Sequence, residues 1–210
     1  MRISGGTARG VPLQVPRGDA VRPATDGMRQ AVFSSLAAHV VGARFADLFA
    51  GSGGYGLEAF SRGAACGVFV EKNPKAAACI RKNISTVAKS TGRAEEALRL
   101  LSVDALTWSP MPGEEPDLVF VDPPYEIIAG VGARLLARLA DVLAPKTDAV
   151  IVFEMPGELT LEPPPGWTCV KRLGKGARQP TTAFFRQGRG LSEAGGGQRG
   201  GDSRFHTEDA

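Results

Sequence analysis

Five short, largely apolar runs punctuate this chain, at about 44–50, 66–70, 98–103, 117–121 and 149–153. They are too short for helices and apolar on consecutive positions, the pattern of strands buried on both faces of a sheet. Between and before them, apolar residues recur every three or four positions: Met28, Val32, Leu36 and Val40; Ala77, Ile80, Ile84 and Val87; Val131, Leu135, Leu139 and Val142. That period predicts helices with one buried stripe. The first should end around Gly42 and the last should run over about 131–143. A further helix over 57–62 is stopped by Gly63, and residues 94–98 read as a helical extension. Thr25 or Asp26 is suited to cap the first helix. Asn73 and Pro74 suit the N-cap and first turn of the 77–87 helix, with Gly92 closing it.

Alternating strands and helices imply parallel pairing with helices on both faces. Two more strands, at about 167–173 and 181–186, follow a loop rich in proline and have no helix between them, so they predict an antiparallel edge. Residues 1–16 read as a hairpin: 2–4, a break at Gly5-Gly6, then 11–15 before Pro16. The expected fold is therefore α/β, a doubly wound, mainly parallel, seven-stranded Rossmann-like sheet with an N-terminal β-hairpin extension. Residues 1–24 form the hairpin and linker, 25–187 the main domain, and the glycine-rich 188–210 a disordered tail.

Composition narrows the class. With 210 residues, 43% of them hydrophobic, the chain can bury one good core. No apolar run approaches the ~20 residues that span a bilayer, and the first residues lack the apolar segment of a signal peptide, so a cytoplasmic location is expected. Cys66, Cys79 and Cys169 are odd in number and far apart, which argues against a disulfide framework or a zinc site, and no metal is expected. With only His39 and His206, a histidine-centred triad is disfavoured, and His39 reads as a last-turn helix residue. The net charge of +3 is unevenly spread. Arg2, Arg9, Arg17, Arg22 and Arg29 face only Asp19 and Asp26 in residues 1–29, and residues 171–189 hold Lys171, Arg172, Lys175, Arg178, Arg186 and Arg189 with no acid. Two basic ends on a mildly acidic body fit an anionic partner, although charge alone equally fits a solvated surface.

The first strand runs into Gly51-Ser52-Gly53-Gly54-Tyr55-Gly56, a Gly-x-Gly-x-x-Gly turn at the start of a helix. Glycines there allow a sharp bend and close approach of the backbone to a nucleotide-like ligand. Asp47, Glu71, Asp104 and Asp122 fall within or just beyond successive strands, where a parallel sheet collects its binding groups. Glu71 is placed to accept from both hydroxyls of a ribose, Asp104 from an adenine amine, and Asp47 to orient the glycine turn. Singly, each could equally be a helix cap or a turn acid. Asp122-Pro123-Pro124-Tyr125 is more telling. A conjugated exocyclic amine is a poor nucleophile because its lone pair spreads into the ring. A carboxylate and a main-chain carbonyl accepting its two N–H groups localise that lone pair, two prolines stiffen the turn, and Tyr125 offers a face for stacking a base.

These motifs, with Arg2-Ile3-Ser4-Gly5-Gly6, Arg22-Pro23-Ala24-Thr25-Asp26, Gly56 to Ala64 and Val70-Glu71-Lys72-Asn73, resemble the RsmD-type ribosomal RNA guanine-N2 methyltransferases, class I enzymes that use S-adenosylmethionine. The resemblance covers about residues 1–187. It implies that Asp47, Gly51, Ser52, Gly53 and Gly56 hold the methionine part of the cofactor, Glu71 its ribose and Asp104 its adenine, with Thr25 and Arg29 by its carboxylate. It implies that Asp122, Pro123, Pro124 and Tyr125 receive a guanine of small-subunit (16S) ribosomal RNA, naked or in an assembly particle. Arg2, Arg9, Arg17, Lys175 and Arg178 are the expected RNA contacts, and the enzyme is expected to be a monomer. Ala24, Gly27 and Gln30, and in the hairpin Thr7, Ala8 and Gln14, depart from the residues common in that family. Three other readings fit parts of the pattern: adenine-N6 methylation of DNA, an NAD(P)-dependent oxidoreductase using the glycine turn, and an inactive RNA-binding assembly protein.

Overall fold

The computed structural model describes residues 1–16, 26–174 and 179–188. The expected contacts Arg17, Thr25, Lys175 and Arg178, and the tail beyond residue 188, lie outside these residues. In chain order the elements are α1 (Asp26–Leu36), β1 (Arg44–Leu48), α2 (Gly54–Ser61), β2 (Cys66–Val70), α3 (Pro74–Thr91), β3 (Leu98–Leu101), β4 (Leu118–Val121), α4 (Tyr125–Val142), β5 (Val150–Pro156), β6 (Trp167–Leu173) and β7 (Pro180–Gln187). They form a seven-stranded sheet in the order β3-β2-β1-β4-β5-β7-β6. Its first five strands are parallel, while β7 runs antiparallel between β5 and β6. The doubly wound architecture is thus as the strand–helix alternation implies. The strand order reverses at β1 and β4, and the carboxyl ends of those two strands border the switch at which such sheets bind ligands.

Central strands are buried throughout: Leu118–Val121 is apolar on both faces because a helical layer covers each. One core gathers Phe33, Phe45, Tyr55, Phe69, Phe120 and Val152 under α1 and α2. The other gathers Leu48, Val121, Leu136, Leu139, Ile151 and Phe153 under α4. At the edge, β6 buries only Trp167 and exposes most of the rest. Asn73 caps α3, its Oδ1 accepting from the Lys75 and Ala76 amides, with Pro74 in the first turn and Gly92 closing it at φ 65°. No helix among the described residues is long and apolar enough to cross a membrane.

Several boundaries differ from those the sequence predicts. α4 begins at Tyr125, well before 131, because Pro124 occupies the N-cap and the helix starts directly on the strand turn. Gly130 and Gly132 hide that start from periodicity, since they interrupt the apolar stripe. α2 likewise begins within the glycine turn, at Gly54. β5 runs past residue 153 to Pro156, so Glu154 is inside the strand and not beyond it. α1 gives way at Leu36 to a single 3₁₀ turn, Ala37–His39, and the residue 94–98 extension is also a 3₁₀ turn. The N-terminal segment falls short of a hairpin of strands. It holds one antiparallel bridge, Arg2 to Pro12, with main-chain bonds from Ile3 to Val11 and from Gly10 to Ile3. Its other partners include Arg29 on α1, Glu58 and Ser61 on α2 and Asn83 on α3, which fold it onto the body.

Candidate functional site

The first strand delivers its chain into a turn that only unusual backbone angles can make. Phe49 has φ 57°, Gly51 57° and Gly53 79°, all left-handed. For the glycines this costs little, whereas Phe49 is held in a conformation that side chains with a Cβ rarely adopt. Two carboxylates brace the loop. Asp47, 2% exposed, accepts the Gly56 amide at 2.8 Å. Glu71, at the end of β2, accepts the Gly51 amide at 2.8 Å on one oxygen and the Asn73 amide at 2.7 Å on the other. Each oxygen keeps a lone pair for a ligand. Burial pushes the Asp47 carboxyl up to about 8; the Gly56 amide pulls it down and the Glu71 charge adds to the rise. Ser52 is buried, and its carbonyl accepts from Asn83 on α3 at 2.9 Å.

Asp104 lies beyond the end of β3 and is more open. It accepts the Leu106 amide at 2.9 Å and pairs with Lys72 at 3.0 Å. Those two contacts, in that order, hold its carboxyl below the usual range. Arg29 is 1% exposed and committed to protein partners: Asp26 at 2.8 Å, Glu58 at 3.4 Å and the Arg2 carbonyl at 2.5 Å. Its guanidinium nevertheless borders Gly54, where a Cβ would stand 3.7 Å from Nη1, at the start of α2. The turn, Glu71, Asp104 and Arg29 therefore share one edge of the sheet.

Asp122 follows β4, with its amide donating to the Leu48 carbonyl at 3.4 Å, so it sits beside the glycine turn. It is half-buried, Pro123 buried, Pro124 exposed and Tyr125 43% exposed at the first position of α4. Although part of Asp122 faces outward, the surrounding protein desolvates it, and Glu154 and Asp47 add negative charge. All three causes push its carboxyl well above the usual range. Arg2 and Arg9 are exposed on the N-terminal segment, away from the Asp122 turn in sequence.

Three functional candidates escaped the reading of the sequence. Glu154, 4% exposed on β5, accepts from the Tyr55 hydroxyl at 2.7 Å. Tyr55 belongs to the glycine turn's helix, and its ring stacks on Phe120 at 5.3 Å and 11°. Glu58, fully buried on α2, accepts from the Ser4 amide and hydroxyl and from Arg29 and Arg62. The signal for Glu154 was present in the chain: it too follows an apolar run, as Glu71, Asp104 and Asp122 do.

A mainly parallel sheet in this order, with a glycine turn after β1 and Asp-Pro-Pro-Tyr after β4, defines the class I methyltransferase architecture, which its structural neighbours share. The chain belongs to the family described as Conserved hypothetical protein 95, whose model matches residues 1–183. It is similar to the ribosomal RNA small subunit methyltransferase D of Escherichia coli K12, 37% identical over 125 residues that span 60% of each protein. To the protein of that name from Haemophilus influenzae it is 30% identical over 178 residues, 84% of this chain and 89% of the other. A solved structure of a putative methyltransferase from Escherichia coli superposes with a TM-score of 0.67 at 30% identity, covering 90% of this chain and 98% of that one.

Proposed function

We propose that the chain is a cytoplasmic, monomeric enzyme that methylates small-subunit ribosomal RNA with S-adenosylmethionine, at the exocyclic N2 of a guanine. The observation that carries this reading is the placement of Asp122-Pro123-Pro124-Tyr125 beside the glycine turn, at the point where strand order reverses. The names of the similar proteins direct it to small-subunit ribosomal RNA.

The residues fit the cofactor. The left-handed turn at Gly51 and Gly53 allows close approach of the backbone to a ligand, Glu71 keeps acceptor capacity for ribose hydroxyls, and Asp104 can accept from an adenine amine. Thr25 and Arg29 belong to its carboxylate end in this reading. Bound there, S-adenosylmethionine supplies a methyl group made electrophilic by a positive sulfur. The protein's part is positional and electrostatic. The Asp122 carboxylate and the carbonyl of the Pro123-Pro124 turn accept the two N–H groups of the amine. Tyr125, exposed at the start of α4, stacks on the base, and Arg2, Arg9, Arg17, Lys175 and Arg178 contact phosphates.

Asp122→Ala is expected to lower methyl transfer to small-subunit RNA by ~100-fold or more while calorimetric binding of S-adenosylmethionine persists. Near wild-type transfer by the variant sinks the mechanism. Nucleoside analysis of ribosomal RNA against duplex DNA, each incubated with the enzyme and labelled methyl donor, identifies the modified base. Methyladenine in the DNA alone points instead to adenine-N6 chemistry.

A further inference from the structure

Asp122 does not stand alone on its face of the sheet. In the parallel register Leu48 pairs with Val121 and Val121 with Phe153, so the residues that follow are side by side, Asp122 just past the end of β4 and Glu154 on β5. Side chains alternate along a strand, so Asp122 shares its face with Phe120, which pairs with Asp47 on β1 and with Val152 on β5. Asp47, Asp122 and Glu154 therefore line one face across three neighbouring strands. Packed over them, α2 presents Tyr55, whose hydroxyl donates to Glu154 at 2.7 Å. α1 contributes Phe33, its ring tilted 42° against that of Phe120 at 5.6 Å, and Arg29, which is engaged by Asp26 and Glu58. β7 places Thr182 opposite Glu154, and Glu71, just past the end of β2, acts on Asp47 from the far side. Two of these groups, Glu154 and Tyr55, lie outside the cofactor and base contacts proposed above, yet they are buried together next to the reacting group.

We propose that Glu154, oriented by Tyr55, is a positioning residue that makes Asp122 the acceptor of the proton released when the amine is methylated. This rests on the methyltransferase reading above. In the transfer the amine lone pair forms the N–C bond while the S–C bond breaks and leaves its electron pair on sulfur, cancelling the sulfur's charge. The methylated amine then carries the positive charge until one N–H proton passes to the Asp122 carboxylate, which leaves a neutral secondary amine and a neutral Asp122. A hydroxyl donating to Glu154 favours its ionised form, and that charge beside Asp122 raises Asp122's affinity for a proton. Burial and Glu154 both raise Asp122, and burial raises Glu154 against the pull of Tyr55. Because Asp122 is only half-buried, the proton has a path to water afterwards, whereas Glu154 is closed in.

Carbon-13 NMR of the carboxyl groups in the protein without cofactor reads this directly. In Glu154→Gln, which keeps the side chain's shape and an acceptor for Tyr55, the Asp122 midpoint is expected to fall by about one pH unit or more. In Tyr55→Phe the Glu154 midpoint is expected to rise. Single-turnover methyl transfer on small-subunit RNA should show the acid limb moving down with Asp122 in Glu154→Gln. Its plateau rate should drop about tenfold, as expected for a weaker proton acceptor, with cofactor affinity unchanged. An active wild-type enzyme whose Asp122 midpoint stays within about 0.3 unit in Glu154→Gln, or whose acid limb fails to follow it, overturns this inference alone. A wild-type protein that methylates neither RNA nor DNA overturns the methyltransferase reading and the inference together.

Discussion

Asp47 shows how much one residue can be asked to carry. It is a carboxylate inside a buried strand, tolerated because the Gly56 amide satisfies it and because the turn requires that bond. Its carboxyl is raised to about 8, above its value in the unfolded chain. Between about pH 4 and 8 the folded state therefore holds a proton that the unfolded state has lost, and stability falls as pH rises through that window. Asp47→Asn keeps an acceptor for Gly56 and removes the titration, so the variant's melting temperature should fall less between pH 5 and 8 than the wild type's. A parallel decline in both proteins would place the titration elsewhere. Gly56 answers to a different constraint. A Cβ there would press inside van der Waals contact with the rings of Phe45 and Phe69. Gly56→Ala should cost about 1–3 kcal/mol, read as a lowered urea midpoint.

At the scale of elements, the N-terminal segment is held by side chains and hardly by strand pairing. Glu58 on α2 takes the Ser4 amide at 2.7 Å and its hydroxyl at 2.8 Å, and pairs with Arg29 and Arg62. Asn83 on α3 brackets Gln14, accepting its amide at 2.8 Å and donating to its carbonyl at 2.9 Å, while also donating to Ser52 in the glycine turn. The segment expected to touch RNA is thereby joined to the turn expected to touch cofactor. Glu58→Ala strands the buried Arg29 guanidinium without its partner on α2, and should destabilise the fold by about 3–5 kcal/mol in denaturant unfolding. The residues 1–16 hairpin was half legible in the chain. Gly5-Gly6 and the flanking apolar residues marked a turn and two arms. What binds those arms are polar residues on three helices, α1, α2 and α3, and no local pattern announces partners as distant as Glu58 for Ser4 or Asn83 for Gln14.

For the whole molecule, charge and topology act together. The parallel sheet brings Asp47, Glu71 and Asp122 to one edge, while Arg2 and Arg9 stand exposed on the segment folded against α2. Binding to small-subunit RNA should weaken as salt rises, because contacts to phosphates release counterions. Arg2→Ala and Arg9→Ala should each weaken binding regardless of sequence and lower the slope of log affinity against log salt by about one. An unchanged slope in both would move the RNA surface elsewhere.

The chain by itself determined the order of strands and helices, the glycine turn and the acids within or just beyond successive strands. These are local: apolar period, capping residues and glycine at left-handed positions act within a few residues of one another. It also contained Glu154, yet did not reveal its role, because that role depends on which strand lies beside which. Only the tertiary structure set β5 next to β4, laid Tyr55 over both, and so turned three separate acids into one electrostatic group. Burial did the rest, since a carboxylate's proton affinity is decided by the water it loses and the charges it gains, and neither is written in its immediate neighbours. The turn that first read as a generic nucleotide loop is in the folded protein one wall of that group.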